Sequence, residues 1–482
     1  MGRAASTLRI VNRARSDRAL PRLVVCGFVV ALGLPLEVRA QTSADAGTPG
    51  AEGTSDAAIE EPWPTTPEST VHDHLEVAPE DVAPEGEDAS PDPQRFEVGG
   101  FPAIAYNSYY GVILGATVSV TKFDGAFTPY HYRIQQTVVA SVRGSDTGVV
   151  SPLQSFETKL EFPGLLEGRL RLFTIARYQR IGLAGYFGIG NAVSPDIPLD
   201  YSGVRDRYFT YRRDSVEARA FGRYRLGHRT DFIFGSSMRG VFPTPSGDGA
   251  LDRDILIAQS EDEPTLRGYR RHFVFDGLVG VLHDTRDDEF NPTRGGMHEA
   301  SLRIGGGPSM DTRLRYGALY LNSRWFVPLY GEKLVFAARG IADIGFGHMP
   351  LVEMLSIGGY TNFMGPAGQE GNRGLPLGRQ AGRVKFIANL ELRSTFYRFH
   401  AGTHRFGLGA VAFVDGSRVL SALRPDPVRD GSGFGVLWSF GGGLRLVWNS
   451  AFVLRVDFAW SLNGGLDHGS SNALHVLVNH SF

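Results

Sequence analysis

Between Val384 and Arg393 the chain alternates with a period of two. Val384, Phe386, Ala388, Leu390 and Leu392 fall on one side, and Arg383, Lys385, Asn389, Glu391 and Arg393 on the other. That period is a strand with one wholly apolar face and one wet face. It follows a glycine-rich stretch from Ile357 to Gly382 that holds few apolar residues and a central Arg373-Gly374 pair. A soluble sandwich gives the same local pattern, so the reading depends on how often the pattern recurs.

It recurs from Phe96 onward, with no convincing amphipathic helix in between. Strand-like segments fall near 98–106, 110–122, 131–142, 155–163, 169–180, 205–226, 230–243 and 272–284. They continue at 296–306, 313–328, 333–346, 383–395, 406–415, 437–448, 451–462 and 473–482. The spacing predicts an all-β fold: a transmembrane antiparallel β-barrel of about sixteen strands, an even number as bacterial barrels have. No segment supplies the roughly twenty continuous apolar residues of a spanning helix. Connection lengths sort by parity. Pro163–Gly168, Gly227–Arg229, Leu329–Glu332 and Asn449-Ser450 are short, whereas 181–204, 244–271, 347–382 and 416–436 are long. Short periplasmic turns and long outer loops are what a barrel requires, and a soluble sandwich has no reason to sort them. The later strands carry a lipid face, with Phe452, Leu454, Val456, Phe458 and Trp460 opposite Arg455 and Asp457. Leu474, Val476, Val478, His480 and Phe482 continue the alternation.

The remaining composition fits this reading. The chain has 482 residues, 61 Gly, 31 Phe and a formal net charge of -2. Its basic residues are spread out and matched by acids, which argues against a nucleic-acid partner. Six arginines from Arg3 to Arg22, an apolar run from Leu23 to Leu36 and a small-x-small site at Val38–Ala40 predict a signal peptide over 1–40. The single cysteine, Cys26, lies within it, so no disulfide is expected in the mature chain. Residues 41–95 are acidic and Pro-rich with no apolar period. They predict a disordered tether, with a periplasmic partner as its alternative role. The barrel is assigned to 96–482.

Several stretches resemble the bacterial surface antigen superfamily, the BamA- and TamA-like outer-membrane assembly and translocation barrels. Tyr186-Phe187-Gly188-Ile189-Gly190-Asn191 is similar to the family's aromatic-Gly-x-Gly-Asn segment. Asp284-Thr285-Arg286-Asp287, followed by Asn291-Pro292-Thr293-Arg294-Gly295-Gly296, resembles its periplasmic turn. Gly358-Gly359 and then Asn372-Arg373-Gly374-Leu375 resemble its Arg-Gly loop, and Phe413-Val414-Asp415 its Phe-x-Asp strand motif. Two details depart: an aromatic usually follows the loop glycine, and a glycine usually stands one residue beyond Gly416. The terminal Phe482 resembles the C-terminal signal read by the barrel assembly machinery. Family members that handle proteins carry periplasmic POTRA repeats, and none is expected in 41–95.

The resemblance implies a loop folded into the lumen, with Arg373 paired to an acid on the wall. A guanidinium in a partly dry lumen needs a carboxylate, and a bidentate pair fixes position. Asp415 is the candidate partner, and Glu391 and Asp457, also inward-facing, are its rivals. His283, Asp284, Asp287 and Asp288 are expected to form a polar turn with Arg286 and Arg294 rather than a metal site. No Gly-x-Ser-x-Gly elbow occurs, and His468–Asn472 places hydrolase-type residues in one loop, where a triad cannot be oriented. The expected role is assembly or transport of protein or lipid at the bacterial outer membrane, without cofactor or metal. The alternatives are a small or gated pore lined by Arg383, Lys385, Arg393, Arg445 and Arg455, and a lipid hydrolase.

Overall fold

A computed structural model describes residues 94–482 except 125–126, 128–129, 146–147, 193–207, 362, 403, 432–433, 450–451, 464–471, 479 and 481. The expected signal peptide, nearly all of the tether and His468–Ser471 therefore lie outside the described residues. The strands are β1 (Gln94–Asn107), β2 (Gly111–Asp124), β3 (Tyr132–Ser145), β4 (Gly148–Val150), β5 (Leu153–Leu165), β6 (Leu170–Gly185), β7 (Thr210–Arg225), β8 (Thr230–Thr244) and β9 (His272–Asp284). They continue with β10 (Gly295–Pro308), β11 (Arg313–Tyr330), β12 (Leu334–His348), β13 (Val384–Ala401), β14 (His404–Leu420), β15 (Leu437–Trp448), β16 (Phe452–Ser461) and β17 (Asn472–Val478). Three short helices sit in connections: α1 (Ala250–Ser260), α2 (Leu351–Met354) and α3 (Pro427–Asp430).

β4 only extends the edge of β3. The other sixteen strands pair antiparallel with their sequence neighbours, and β1 meets β17 to close the ring. Alternation decides which side faces where. On β13, Phe386, Leu390 and Leu392 are exposed, while Lys385, Asn389, Glu391 and Arg393 are buried. On β16, Val453, Arg455, Asp457 and Ala459 are buried and Trp460 lies on the outer side. An exterior apolar face over a polar, charged interior is the pattern of a membrane barrel.

Connection length follows parity with exceptions. At one end lie the short turns 166–169, 226–229, 331–333 and 449–451. At the other lie 186–209, 245–271, 349–383 and 421–436. The turn end also carries the longer connection 285–294, and the loop end the short 108–110 and 309–312. The 285–294 turn is held by its own carboxylates. Asp284 takes a bidentate pair from Arg286 at 2.9 and 2.7 Å, and Asp288 caps Phe290 N and Asn291 N. Asp287 accepts from the backbone of Thr293 and Arg294. Gly295 sits at φ 89°, where a Cβ would meet Thr285 O at 2.1 Å, and Pro292 lies between the two capped stretches.

Two details differ from the sequence reading at the closure. β1 is longer than the 98–106 segment read from the sequence: all fourteen of its residues pair with β2, Gly99, Gly100 and Pro102 included. The weak side is its other edge. Alternation through Phe482 predicted a strand to the end, but β17 stops at Val478, and His480 and Phe482 turn inward. Phe482 packs with Phe326, Val335 and Ala337. Its ring lies 4.8 and 5.1 Å from the Arg339 and Arg393 guanidiniums, and its carbonyl accepts from Arg393 at 2.9 Å. His480 Nε2 meets Asn291 Oδ1 at 2.9 Å, so the same segment is tied to the 285–294 turn. These contacts outweigh continuation of a pairing that has little left to pair with.

Candidate functional site: the lumenal loop and its anchors

Segment 349–383 runs across the inward faces of the strands. Arg373, at its centre, is fully buried. Nε and Nη2 bind the two Asp415 oxygens at 2.8 Å each, and the Arg373 amide adds a third bond to Asp415 at 3.1 Å. Nη1 reaches Glu391 at 2.6 Å and Asp457 at 3.4 Å. The guanidinium carbon stands 3.5 Å from the centroid of the Phe413 ring, a cation–π contact in a desolvated setting. Burial works against the charge, but Asp415 and Glu391 together hold the guanidinium above the ordinary arginine range. The three rival acids are thus all partners, with Asp415 in the bidentate position.

Strand register puts them together. Asn389 pairs with Asp415 and Glu391 with Phe413 across β13 and β14, and Asp415 faces Ser439 on β15. Glycines clear the space. A Cβ at Gly441 would stand 2.4 Å from the Phe413 ring, and one at Gly443 would stand 2.2 Å from an Asp457 oxygen. Gly374 is required for the same reason, since a Cβ there would meet Ser439 Cβ at 2.5 Å and Ser461 N at 2.9 Å. Neighbouring loop atoms are bonded throughout: Asn372 Nδ2 donates to Ser417 Oγ at 3.0 Å and Leu437 O at 2.8 Å, and Asn389 Nδ2 to Gly371 O at 2.8 Å.

The Omp85 superfamily domain matches residues 177–482. The chain belongs to the Omp85 superfamily. It is a bacterial outer-membrane β-barrel, and its fold is similar to that of BamA from Haemophilus ducreyi lacking POTRA domains 1–3. That likeness has a TM-score of 0.50 at 14% identity, covering 80% of this chain and 70% of that one. CdiB from Escherichia coli aligns with a TM-score of 0.48 at 15% identity, over 79% of this chain and 62% of that one. No curated protein matches the sequence.

This Omp85 barrel holds its loop at a second charged point that the sequence reading missed. Glu353, in α2, is 1% exposed. It meets Arg239 of β8 at 2.8 Å and Arg303 of β10 at 2.9 Å. Burial would raise its carboxyl, but Arg303, Arg239 and Lys385 hold it at about 2. Lys385 Nζ donates to the carbonyls of Glu353 and Ser356 at 2.8 and 2.5 Å and to its cross-strand partner Asp343 at 3.1 Å. The Tyr186–Asn191 segment forms a third contact. Gln380 Nε2 donates to Asn191 Oδ1 at 2.6 Å, Arg379 Nη1 to Asn191 O at 3.2 Å, and Gly190 bridges to Ala381.

Four of the five basic residues expected to line a pore are paired with wall acids rather than left as an open cationic wall. Lys385 pairs with Asp343, Arg393 with Glu391, and Arg445 and Arg455 with Asp457. Arg455 also donates to the loop carbonyl of Gln369 at 3.1 Å. What the arrangement can do is hold a plug by charge. One arginine of the loop sits among wall carboxylates, and one glutamate of the loop among wall cations.

Proposed function

We propose that this Omp85 barrel assists the insertion or transport of protein or lipid at the outer membrane, without catalysis, by opening sideways between β1 and β17. One observation carries the reading. Among the described residues, only Tyr106↔Val476 and Asn107↔His475 pair across the seam, against seven pairs between β16 and β17 and fourteen between β1 and β2. From Gln94 to Ala105 the outer edge of β1 has no strand partner among the described residues. Phe96, Val98, Phe101 and Ile104 along it are 55–69% exposed. An unpaired edge is a template for another strand and the least costly place to part a barrel. The surrounding partners on this reading are outer-membrane lipid, the assembly machinery acting on the C-terminal strand, and a periplasmic protein bound through the acidic tether. The turn end then faces the periplasm and the loop end the outside.

A disulfide between Ala105→Cys and Leu477→Cys, the next positions in register, tests the reading. The probe is the rate at which a small outer-membrane barrel folds into liposomes carrying this protein. Locking the seam should remove the acceleration, and reduction should restore it. Acceleration that persists in the locked protein would assign passage to the lumen instead.

A further inference from the structure

The two seam pairs coincide with the point where the lumenal loop crosses behind them. His475 of β17 donates from Nε2 to Arg373 O at 3.0 Å. On the β1 side, Asn107 Nδ2 donates to Gln369 Oε1 at 3.3 Å, and Tyr109 Oη, two residues beyond, donates to Leu375 O at 2.6 Å. Asn107 and His475 are themselves cross-strand partners. The Tyr109 and His475 rings also face one another at 6.0 Å across the junction. Asn107 is 2% exposed and His475 is fully buried. Loop residues 369–375 therefore bond to both sides of the closure, on a segment already fixed by Arg373.

We infer that the loop staples the β1–β17 seam: residues 369–375 hold β1 and β17 together, so the seam and this half of the loop open as one unit. The physical reason is a comparison of bonds. The ladder across the seam is only two residue pairs long, whereas the staple adds three side-chain bonds, two of them to buried backbone carbonyls that lose their donors if the strands part. The described contacts of the other half of the loop lie elsewhere. Glu353 is held by β8 and β10, away from the closure. A client that parts the seam must accordingly displace 369–375, while Glu353 keeps the remainder of the loop in the lumen. The inference rests on the reading of the seam as the moving part, but its test reads motion rather than activity.

Amide exchange in the full chain, reconstituted in liposomes, separates the two. Tyr109→Phe keeps the ring and removes only the bond to Leu375 O. It should speed exchange at Tyr106, Asn107 and His475 several-fold. Combined with His475→Ala, the increase should be about tenfold or more, with the β1–β2 ladder unchanged. Arg373→Lys, which keeps the charge but not the fork, should accelerate the same seam amides together with those of 369–375. Glu353→Gln should accelerate exchange in 351–356 only. Seam amides that ignore Tyr109→Phe and Arg373→Lys would overturn the staple and leave the proposed function standing. Loosened seams in these variants, with liposome folding unaffected by the 105–477 disulfide, would keep the staple and remove the proposed function.

Discussion

Arg373→Ala is the most exacting test of how the loop is held. The three acids do not lose equally. Glu391 keeps Arg393 at 2.8 Å, and Asp457 keeps Arg445 and Arg455. Asp415 loses its bidentate partner and retains the Asn389 amide at 2.7 Å and the backbone amide of residue 373 at 3.1 Å. Removing one side of a buried ion pair typically costs about 3–5 kcal/mol, because the other charge stays desolvated. At 1.4 kcal/mol per decade, that is a loss of roughly two to three and a half orders of magnitude in protection of the loop. Hydrogen exchange and limited proteolysis across 349–383 measure it. The barrel itself should stay folded, since the strands are closed by their own ladder. Arg373→Lys should recover only part of the protection, as an ammonium lacks the planar fork. Asp415→Ala should resemble Arg373→Ala, and the double variant should be no worse than the more damaging single, because the two act as one pair. Unchanged loop protection in Arg373→Ala would refute the anchor outright. An Asp415→Ala variant with normal protection, beside a Glu391→Ala variant that loses it, would move the principal partner to Glu391.

Four further outcomes follow from the same geometry. Arg373→Ala should raise single-channel conductance only modestly while Glu353 still holds the loop, and Arg373→Ala with Glu353→Gln should raise it well beyond either single. Because Glu353 is held at about 2, below the ordinary glutamate value of 4.5, its contribution is present above the latter value. It should be lost as pH falls from there toward 2, readable as an acid-induced rise in conductance that Glu353→Gln lacks. Gly374→Ala should cost about 1–3 kcal/mol of loop docking by overpacking against Ser439 and Ser461, seen as faster proteolysis of 349–383. For orientation, a cysteine in 245–271 or 421–436 should react with an impermeant thiol reagent on intact cells, and one at Gly227 or Gly331 should not; equal labelling of the two sets would sink the assignment of the ends.

Much of this was legible because a barrel writes its geometry into alternation. A strand whose even positions are Phe386, Ala388, Leu390 and Leu392 and whose odd positions include Lys385, Asn389, Glu391 and Arg393 states both its faces and its environment. The acids facing Arg373 were legible for the same reason, since parity places Asp415, Glu391 and Asp457 inward. Their relative roles were not, because which carboxylate takes the fork depends on where Gly441 and Gly443 leave room. Glu353 was not legible as an anchor. It stands in the apolar run Leu351–Leu355, where a lone acid reads as the polar side of a short helix, and its partner Arg239 is 114 residues away. A signal existed: parity turns both Arg239 and Arg303 inward, and the neighbouring wall acid Glu217 meets Arg239 at 3.2 Å but not Arg303, which leaves room for a further acid.

The closure shows where periodicity stops being informative. Leu474, Val476 and Val478 keep the strand's alternation, and nothing local tells His480 and Phe482 to leave it. What decides is the far side of the lumen. Arg339 and Arg393 present two guanidiniums to an aromatic ring, and Arg393 adds a donor for its carbonyl. Each is inward-facing by the same parity that made β12 and β13 readable, so the bend obeys the alternation of other strands at the expense of its own. Pairing of β17 with β1 is then forfeited below Val476, and of the two pairs that survive, Asn107↔His475 is bonded to the loop from both sides. A seam that relies on a loop for its closure can be released without breaking a long ladder. A weak closure alone would leave the barrel leaky, and a closed ladder alone would leave it inert. If the seam opens as proposed, the Arg373 anchor, placed beside it and separate from Glu353, would let one barrel be shut at rest and still have a low-cost way to part.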